Sequence, residues 1–573
     1  MRYPYTKRQC EYLRYQARQR FDKVRSTWVD SCKWALPHRN NWLLSQVEGE
    51  RKNQHIVDST HVLALRSYVA GFLEGNTSAN RPWFRLGTGD AEKNLVPENH
   101  QWLDKLTRRT LKTLSASNFY HAAGEFYYDY GVVNSGAHYV EELPGGELYF
   151  HTLIPGSYFV INNSYSEAVV LVRELSLSVK ALVDRYGPRK ENGSRDWSNI
   201  SDRVKKLYED SNYTQTIEIV QVIKENDDFD PEEPQALLNK KWIAMTYATG
   251  ESRGDLFQDG QDNTELANED EGKYLEVAGS KRKPFIVGRS TTSNNFEWGE
   301  KGPTTDALGL IKSLNKKAIG KDQALEQMLR PALQGPANLR KSYITTASNS
   351  FIPLDAKSIA QKGLRPVFEI NPAIGALIQD VGDMRQQVDK LYYADFLLFL
   401  SSNPKTRTAT ETQAVVDEQK LVIGPNLQSL NWTYNVPIID FVMEFVLDVD
   451  PLLPPPPRDL EGQFLRPEFI SVFAQAQKAA DLPAVNRYVA MISDVAQINP
   501  AALDKLNVDK LADIYEDRLY LPAGLNNPSE KVEAMRQQAL AQQERQQGIE
   551  ELTKKSIAAK NVGLQVTNQE EIK

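Results

Sequence analysis

The chain has 573 residues, 41% of them apolar, and 68 Lys and Arg against 75 Asp and Glu give a formal net charge of −7. That length supports three or four packed regions, and the acidic balance excludes a protein whose whole surface is a nucleic-acid mop, so any contact with DNA must be local. Two cysteines, Cys10 and Cys32, lack CxxC spacing, which excludes a disulfide framework or a zinc ribbon and points to a reducing setting.

No apolar run reaches the roughly 18 residues that a membrane span needs, and the opening "MRYPYTKRQCEYLRYQARQR" lacks the apolar core of a secretion signal. An intracellular product without membrane partners is the expectation. Residues 1–25 hold eight Lys and Arg against two Asp and Glu, interleaved with Tyr3, Tyr5, Tyr12, Tyr15 and Phe21. Such a pattern can stack on nucleic acid, but an amphipathic first helix with a solvated basic face explains it more simply. Helical spacing continues through "HIVDSTHVLALRSYVAGFLEG" and "ENHQWLDKLTRRTLKTLSAS", with an extended link opening at Trp83.

The texture changes near residue 132. "ELYFHTLIPGSYFVIN" and "EAVVLVREL" read as strands, and "SLSVKALVDRYG" as a short helix capped by Ser178 and stopped at Gly187. "TIEIVQVI", "KWIAMTY", "KYLEVAG" and "PFIVGR" follow as further strands of a mixed sheet, separated by acidic loops. After residue 303 a helical section returns. Ala307, Ile311, Leu314, Ala318, Leu325 and Leu329 fall on one stripe, and Leu377, Val381, Met384, Val388 and Leu391 on another, predicting two helices of roughly 40 Å. Between them lies a Pro-, Gly- and Ser-rich module that should project from the ends of two antiparallel helices. "SSNPKTRTATETQAVVDEQKLVIGP" is a small basic loop running into a helix, with Thr408 and Glu411 as its capping box and a kink expected at Gly424 and Pro425. "PLLPPPP" is a rigid spacer before a final helical section that ends in a Gln-rich helix.

Motifs that would carry chemistry are missing. Gly320-Lys321 is followed by Asp322 and lacks the upstream glycine of a phosphate-binding loop, and neither GxSxG nor HExxH occurs. His55 and His61 are six apart and share no helical face suited to one metal. The acids Glu225, Asp227, Asp228, Asp230, Glu232 and Glu233 lack the spacing of a calcium loop, so a solvated loop is the reading; a divalent-ion nuclease built on them ranks last. No catalytic residue, cofactor or metal is assigned.

The order of long helix, small module, long helix, basic loop and kinked helix resembles the portal proteins, or head-to-tail connectors, of short-tailed bacteriophages. "IPGSYFVINNSYSEAVVLVRELSLSVKALVDRYG", "EKGPTTDALGLIKSLNKKAIGKDQALEQMLRPAL" and "TRTATETQAVVDEQKLVIGPNLQSL" carry the resemblance, which covers most of the chain. It implies an α+β, predominantly helical portal fold with wing, stem, clip and crown, assembled as a ring. Residues 1–303 would be the wing, 304–330 and 372–399 the two stem helices, 331–371 the clip, and 400–409 the tunnel loop. The kinked wing helix would be 410–450, and the crown and C-terminal tail 451–573. It further implies a homo-oligomer, a dodecamer, at a unique capsid vertex of the virion, assembled in the host cytoplasm, through which double-stranded DNA is packaged and ejected. Its other partners would be the large terminase subunit, a tail adaptor, and the major capsid and scaffolding proteins.

On that resemblance Lys405 and Arg407 would contact DNA in the tunnel loop, and Asp380, Asp383 and Asp389 would be channel-wall acids if they face inward, or else part of a solvated or intersubunit face. Asp395 falls on the apolar stripe, where it should pair with a neighbour. Arg340, Lys341 and Tyr343 are the candidates for partner binding on the clip. The alternative from a different class is a non-enzymatic oligomeric scaffold or adaptor that meets nucleic acid only incidentally.

Overall fold

The computed structural model describes residues 5–39, 42–43, 52–90, 93–94, 96–190, 193–232, 239–249, 274–290, 297–329, 333–334, 365–366, 374–394, 424–470 and 482–498, with scattered positions between 511 and 557. Two compact units emerge. Met1–Phe84, Arg108–Leu452 and Phe469–Gln477 form the first, and Arg85–Thr107, Leu453–Glu468 and Lys478–Lys573 the second.

Helix α1 (Lys7–Ala35) begins at a reciprocal capping box, in which the Thr6 side chain accepts from Gln9 N and the Gln9 side chain accepts from Thr6 N. Its apolar stripe of Cys10, Ala17, Phe21 and Trp28 is buried together with Arg14, while Arg8, Arg18, Lys23 and Arg25 are exposed. Helix α2 (Thr60–Gly75), strand β1 (Phe84–Thr88) and helix α3 (Pro97–Ala116) follow. Helix α4 (Phe119–Val133) stops at Asn134, whose φ of 61° is the left-handed conformation that ends helices, and the chain turns at once into β2 (Ser135–Glu142).

Next come β3 (Leu148–Thr152), β4 (Tyr158–Asn162), β5 (Ala168–Ser178), α5 (Val179–Tyr186), α6 (Asp202–Glu209), β6 (Thr216–Glu225), β7 (Trp242–Ala248), β8 (Glu276–Ser280) and β9 (Phe285–Arg289). The single mixed sheet expected from the sequence is instead two antiparallel sheets, ordered β3-β2-β9 and β4-β5-β6-β7-β8. Neighbours such as β4 and β5 are joined by a short turn, which cannot make the long crossover that parallel strands require. The helix between β5 and β6 forms as its residues dictate: Ser178 Oγ accepts from Ala181 N, and Gly187 N closes the last turn on Val183 O.

The five-stranded sheet is covered on both faces. On one, α1 docks through Arg14 Nε to Glu174 Oε1 at 2.8 Å and Cys10 Sγ to Met245 Sδ at 3.6 Å. On the other, Val179, Leu182 and Val183 of α5 and Val204 of α6 meet Ile217, Ile219 and Ala248 in a cluster of their own. The three-stranded sheet packs on α4 so closely that a Cβ at Gly136 would lie 2.6 Å from Phe126 Cδ2, a distance no side chain tolerates. Phe126 in turn stacks on Tyr434 with ring centroids 3.7 Å apart and planes 6° from parallel.

Helix α7 (Pro303–Leu329), strands β10 (Leu333–Gln334) and β11 (Arg365–Pro366), and helix α8 (Ile374–Leu391) come next. A later helix runs from Gly424 through a wide turn at Asn431–Asn435 into α9 (Val436–Val449). In that turn Val436 N reaches Asn431 O, five residues back. Pro437 explains it, because its ring would strike the carbonyl four residues earlier in a regular helix, and the extra residue relieves the clash. The chain leaves the first unit after Leu452, inside the proline-rich spacer. In the second unit β12 (Leu465–Phe469) pairs with β1, Leu86 N donates to Thr107 Oγ1 at 3.0 Å, and Trp102 Nε1 donates to Pro454 O at 2.9 Å. Helix α10 (Leu482–Ile498) belongs to the same unit. No helix among the described residues is long and apolar enough to cross a membrane.

Candidate nucleic-acid interface

The two long helices form an antiparallel hairpin, and its register can be read from side chains. Near the base Thr304 Oγ1 lies 2.7 Å from Tyr392 OH, halfway along Lys317 Nζ meets Asp380 Oδ2 at 2.5 Å, and beyond the helices Leu333 pairs with Pro366. Thirteen and then 16 residues forward on one arm are matched by 12 and 14 back on the other, so the β10–β11 pair falls close to the register that the helices begin. Ala307, Ile311, Leu314 and Ala318 of α7 and Val381, Met384 and Val388 of α8 are buried, as their spacing predicts. Leu325 and Leu329 share the first stripe yet are exposed, Leu329 at 80%; on the facing helix Leu391 of the second stripe is exposed, Leu377 is half-buried, and Ile378 is 57% exposed.

The base of the hairpin is held by polar bonds. Thr304 Oγ1 donates to Gly131 O at 2.7 Å, which uses its one proton, so Tyr392 OH donates to Thr304 Oγ1. Asn315 Oδ1 accepts from Val57 N at 2.8 Å and Asp58 N at 2.9 Å, and Lys312 pairs with Asp30 of α1. Arg385 Nε and Nη2 donate to Asp58 Oδ2 at 3.0 and 2.8 Å, while Asp58 Oδ1 accepts from Thr60 N at 3.0 Å to start α2. Burial opposes the charge on Asp58, but hydrogen bonds from Thr60 and the Arg385 guanidinium outweigh it and hold the carboxyl below its usual range. Replacing Arg385 by Met leaves this nearly inaccessible carboxylate with the Thr60 hydrogen bonds but no counter-charge. The expected loss is about 2 kcal/mol in urea unfolding, toward the low end for a broken pair because half of Arg385 is in water.

Of the three acids on α8, Asp380 is engaged by Lys317, Asp383 is exposed and Asp389 is half-buried. At about 100° per residue Asp383 sits some 60° from Asp380 around the helix, whereas Asp389 lies on the opposite side. Gly424 and Pro425 are the first described residues of their helix, and Pro425 is exposed. The irregularity within the described part falls at Asn431–Asn435, and the signal that marks it in the sequence is Pro437. Lys405, Arg407, Arg340, Lys341, Tyr343, Asp395 and the Thr408–Glu411 capping box lie outside the described residues.

The residues weighed for chemistry have structural work. His55 Nε2 and His61 Nε2 lie 2.8 and 2.9 Å from Lys33 O and Trp34 O, where they satisfy carbonyls at the end of α1. Asp227 pairs with Lys224 at 2.7 Å, and its backbone N bonds Tyr5 OH at 2.8 Å. Among the described residues no cluster of His, Cys, Asp or Glu is arranged to hold a metal ion.

Residues 7–525 match the family model described as bacteriophage head to tail connecting protein. Among curated relatives, the "Probable portal protein" of Bordetella phage BPP-1 is 28% identical over 541 residues, covering 94% of this chain and 92% of that one. The "Portal protein" of Salmonella phage epsilon15 is 27% identical over 526 residues, covering 91% and 89%. Among solved structures, a chain of "Virion of native gene transfer agent (GTA) particle" aligns over 86% of this chain and 97% of its own, with a TM-score of 0.34 and 10% identity, a likeness too weak to bear on the fold. The chain belongs to the bacteriophage head to tail connecting proteins and functions as a phage portal protein, a structural, non-enzymatic component of the virion.

Proposed function

We propose that twelve copies of this chain close into a ring at one capsid vertex and that double-stranded DNA passes along its axis during packaging and ejection. In that ring residues 1–303 are the wing, 304–330 and 372–399 the stem, 331–371 the clip, 400–409 the tunnel loop, 410–450 a wing helix and 451–573 the crown and tail. The observation that carries the reading is the α7–α8 hairpin, clamped at its base and continued by the β10–β11 ladder toward the clip. Its outer half exposes Ile319, Met328, Leu329 and Ile378, apolar surface that a neighbouring copy would cover.

Duplex DNA bears one phosphate per about 1.7 Å of axis, so a narrow collar of Lys405 and Arg407 repeated around the ring would grip it without reading bases. Asp383, exposed on the stem, is the acid that would keep the wall from becoming sticky, since Asp380 already has a cation. Gly424 and Pro425 would let the loop change position. The clip, through Arg340, Lys341 and Tyr343, would meet the large terminase subunit and later a tail adaptor, and the wing would face the major capsid and scaffolding proteins, with assembly in the host cytoplasm.

Electron microscopy of the purified protein tests the ring: particles with an axial hole are expected, and monomers or dimers under every condition would end the proposal. With rings in hand, Arg407→Ala should leave their images unchanged yet weaken DNA retention on the order of tenfold at moderate salt. Retention equal to wild type would remove Arg407 from the channel.

A further inference from the structure

Apart from the hairpin, β2, β5 and α5 bring a group of charged and aromatic side chains together in the first unit. Arg173 is central. It lies in the cross-strand row Tyr158–Arg173–Gln221, facing away from the Arg14–Glu174 side of the sheet. Its guanidinium carbon sits 5.2 Å from the Tyr139 ring centroid, and its Nε is sealed from solvent with no hydrogen-bond partner among the described residues. Next to it Gln221 Oε1 is likewise buried and unbonded.

The obvious counter-charge is taken. Glu141 Oε2 bonds His151 Nε2 at 2.8 Å and Glu141 Oε1 faces Arg185 at 3.7 Å, so one carboxylate serves a histidine and an arginine before Arg173 is considered. Arg185 lies over the Tyr186 ring at 5.5 Å. Neither Tyr139 nor Tyr186 makes a hydroxyl hydrogen bond among the described residues. Burial and the neighbouring Arg185 both weaken the hold of Arg173 on its proton, while Tyr139, Tyr186 and Glu141 oppose them. An arginine does not respond by neutralising, so the sealed Nε of this half-buried guanidinium, left without an acceptor, calls for one.

We propose that Arg173 and Arg185, with the hydroxyls of Tyr139 and Tyr186, form a binding site for one small oxyanion of the phosphate or carboxylate class. The guanidinium fork supplies paired donors suited to such an anion, and the aromatic rings stabilise the cations. A guest that also carries a proton, as dihydrogen phosphate does, satisfies Gln221 Oε1 as well.

The test is the thermal unfolding of the full-length protein in chloride, phosphate and acetate buffers of matched ionic strength. Phosphate at about 50 mM is expected to raise the wild-type midpoint by roughly 3 °C beyond chloride, because a ligand bound only by the folded state stabilises it. Arg173→Met should lose that increment. Arg173→Lys keeps the charge but not the fork and should lose most of it, which preserves the test if the Met variant does not fold. A rise with phosphate alone assigns the tetrahedral class, and a rise with acetate alone assigns the carboxylate class. Equal shifts in wild type and both variants, or no shift beyond chloride with either phosphate or acetate in the wild type, would overturn the site.

Discussion

Replacing Tyr434 by Ala should destabilise the first unit by about 4 kcal/mol, among the largest effects of any single truncation in the chain. The side chain is wholly buried, stacks on Phe126 at 3.7 Å, meets Tyr127 edge-on at 6.2 Å and places its hydroxyl 3.0 Å from His138 Nε2. Truncation opens a cavity beneath α4 and the three-stranded sheet and strands a histidine nitrogen where no water reaches. His138 cannot compensate by ionising, since burial pushes its pKa down to about 3. Tyr434→Phe separates the two contributions: it retains the stack and removes the hydroxyl, for an expected loss of about 1 to 2 kcal/mol. Urea unfolding followed by tryptophan fluorescence measures both. A loss below about 2 kcal/mol for Tyr434→Ala would show that the cavity collapses and that the stack is not the keystone of this region.

The second large effect is tied to pH. Asp129 of α4 is fully buried, and its Oδ2 lies 2.7 Å from Arg39 Nη2 while its Oδ1 has no hydrogen-bond partner among the described residues. Burial pushes its pKa up to about 7 in spite of Arg39, and Glu125 adds to the rise. An acid whose pKa is raised by folding binds more protons in the native state between its unfolded value and its folded value. Stability therefore falls as pH rises from about 4 to about 7 and is level above that window. Between pH 5 and pH 8 the wild type should lose on the order of 2 to 3 kcal/mol through this group, a loss that Asp129→Asn abolishes. Arg39→Ala carries the argument further. At pH 8 it leaves an uncompensated buried carboxylate and should cost about 3 to 5 kcal/mol, and at pH 5, where protonation can neutralise Asp129, distinctly less. A penalty for Arg39→Ala that is the same at both pH values would mean that Asp129 does not titrate in this range.

Which face of each element is buried was legible in the residues, and which element it meets was not. The stripe Ala307, Ile311, Leu314 and Ala318 is buried as its spacing requires, and Ser178 and Gly187 bound their helix as expected, because these signals act within a few residues. Leu325 and Leu329 fit the same period but lie where the single chain has nothing to set against them, so periodicity names the face without naming its cover. The pairing of β1 with β12, sealed by Arg85 and Glu468 at 2.8 Å, joins segments nearly 400 residues apart, and neither strand specifies the other. The same holds for Arg282, which bridges Glu142 and Asp448. Pro437 is the residue that announces the wide turn at Asn431–Asn435, whereas the kink expected at Gly424-Pro425 falls at the edge of the described residues. The acids of α8 were visible as residues; that Lys317 would claim Asp380, with Asp389 on the other side of the helix, depends on how the two arms lie together.

The bonds from Asp30, Asp58 and Gly131 all meet the arms between Thr304 and Asn315 or at Arg385. Past that root, Lys317–Asp380 and the β10–β11 ladder join the arms to each other. Mechanically this is a cantilever, with about 21 Å of α7 overhanging its last anchor at Asn315. A sideways push on the far end turns into torque at the root, where the Arg385–Asp58 pair and the start of α2 must bear it.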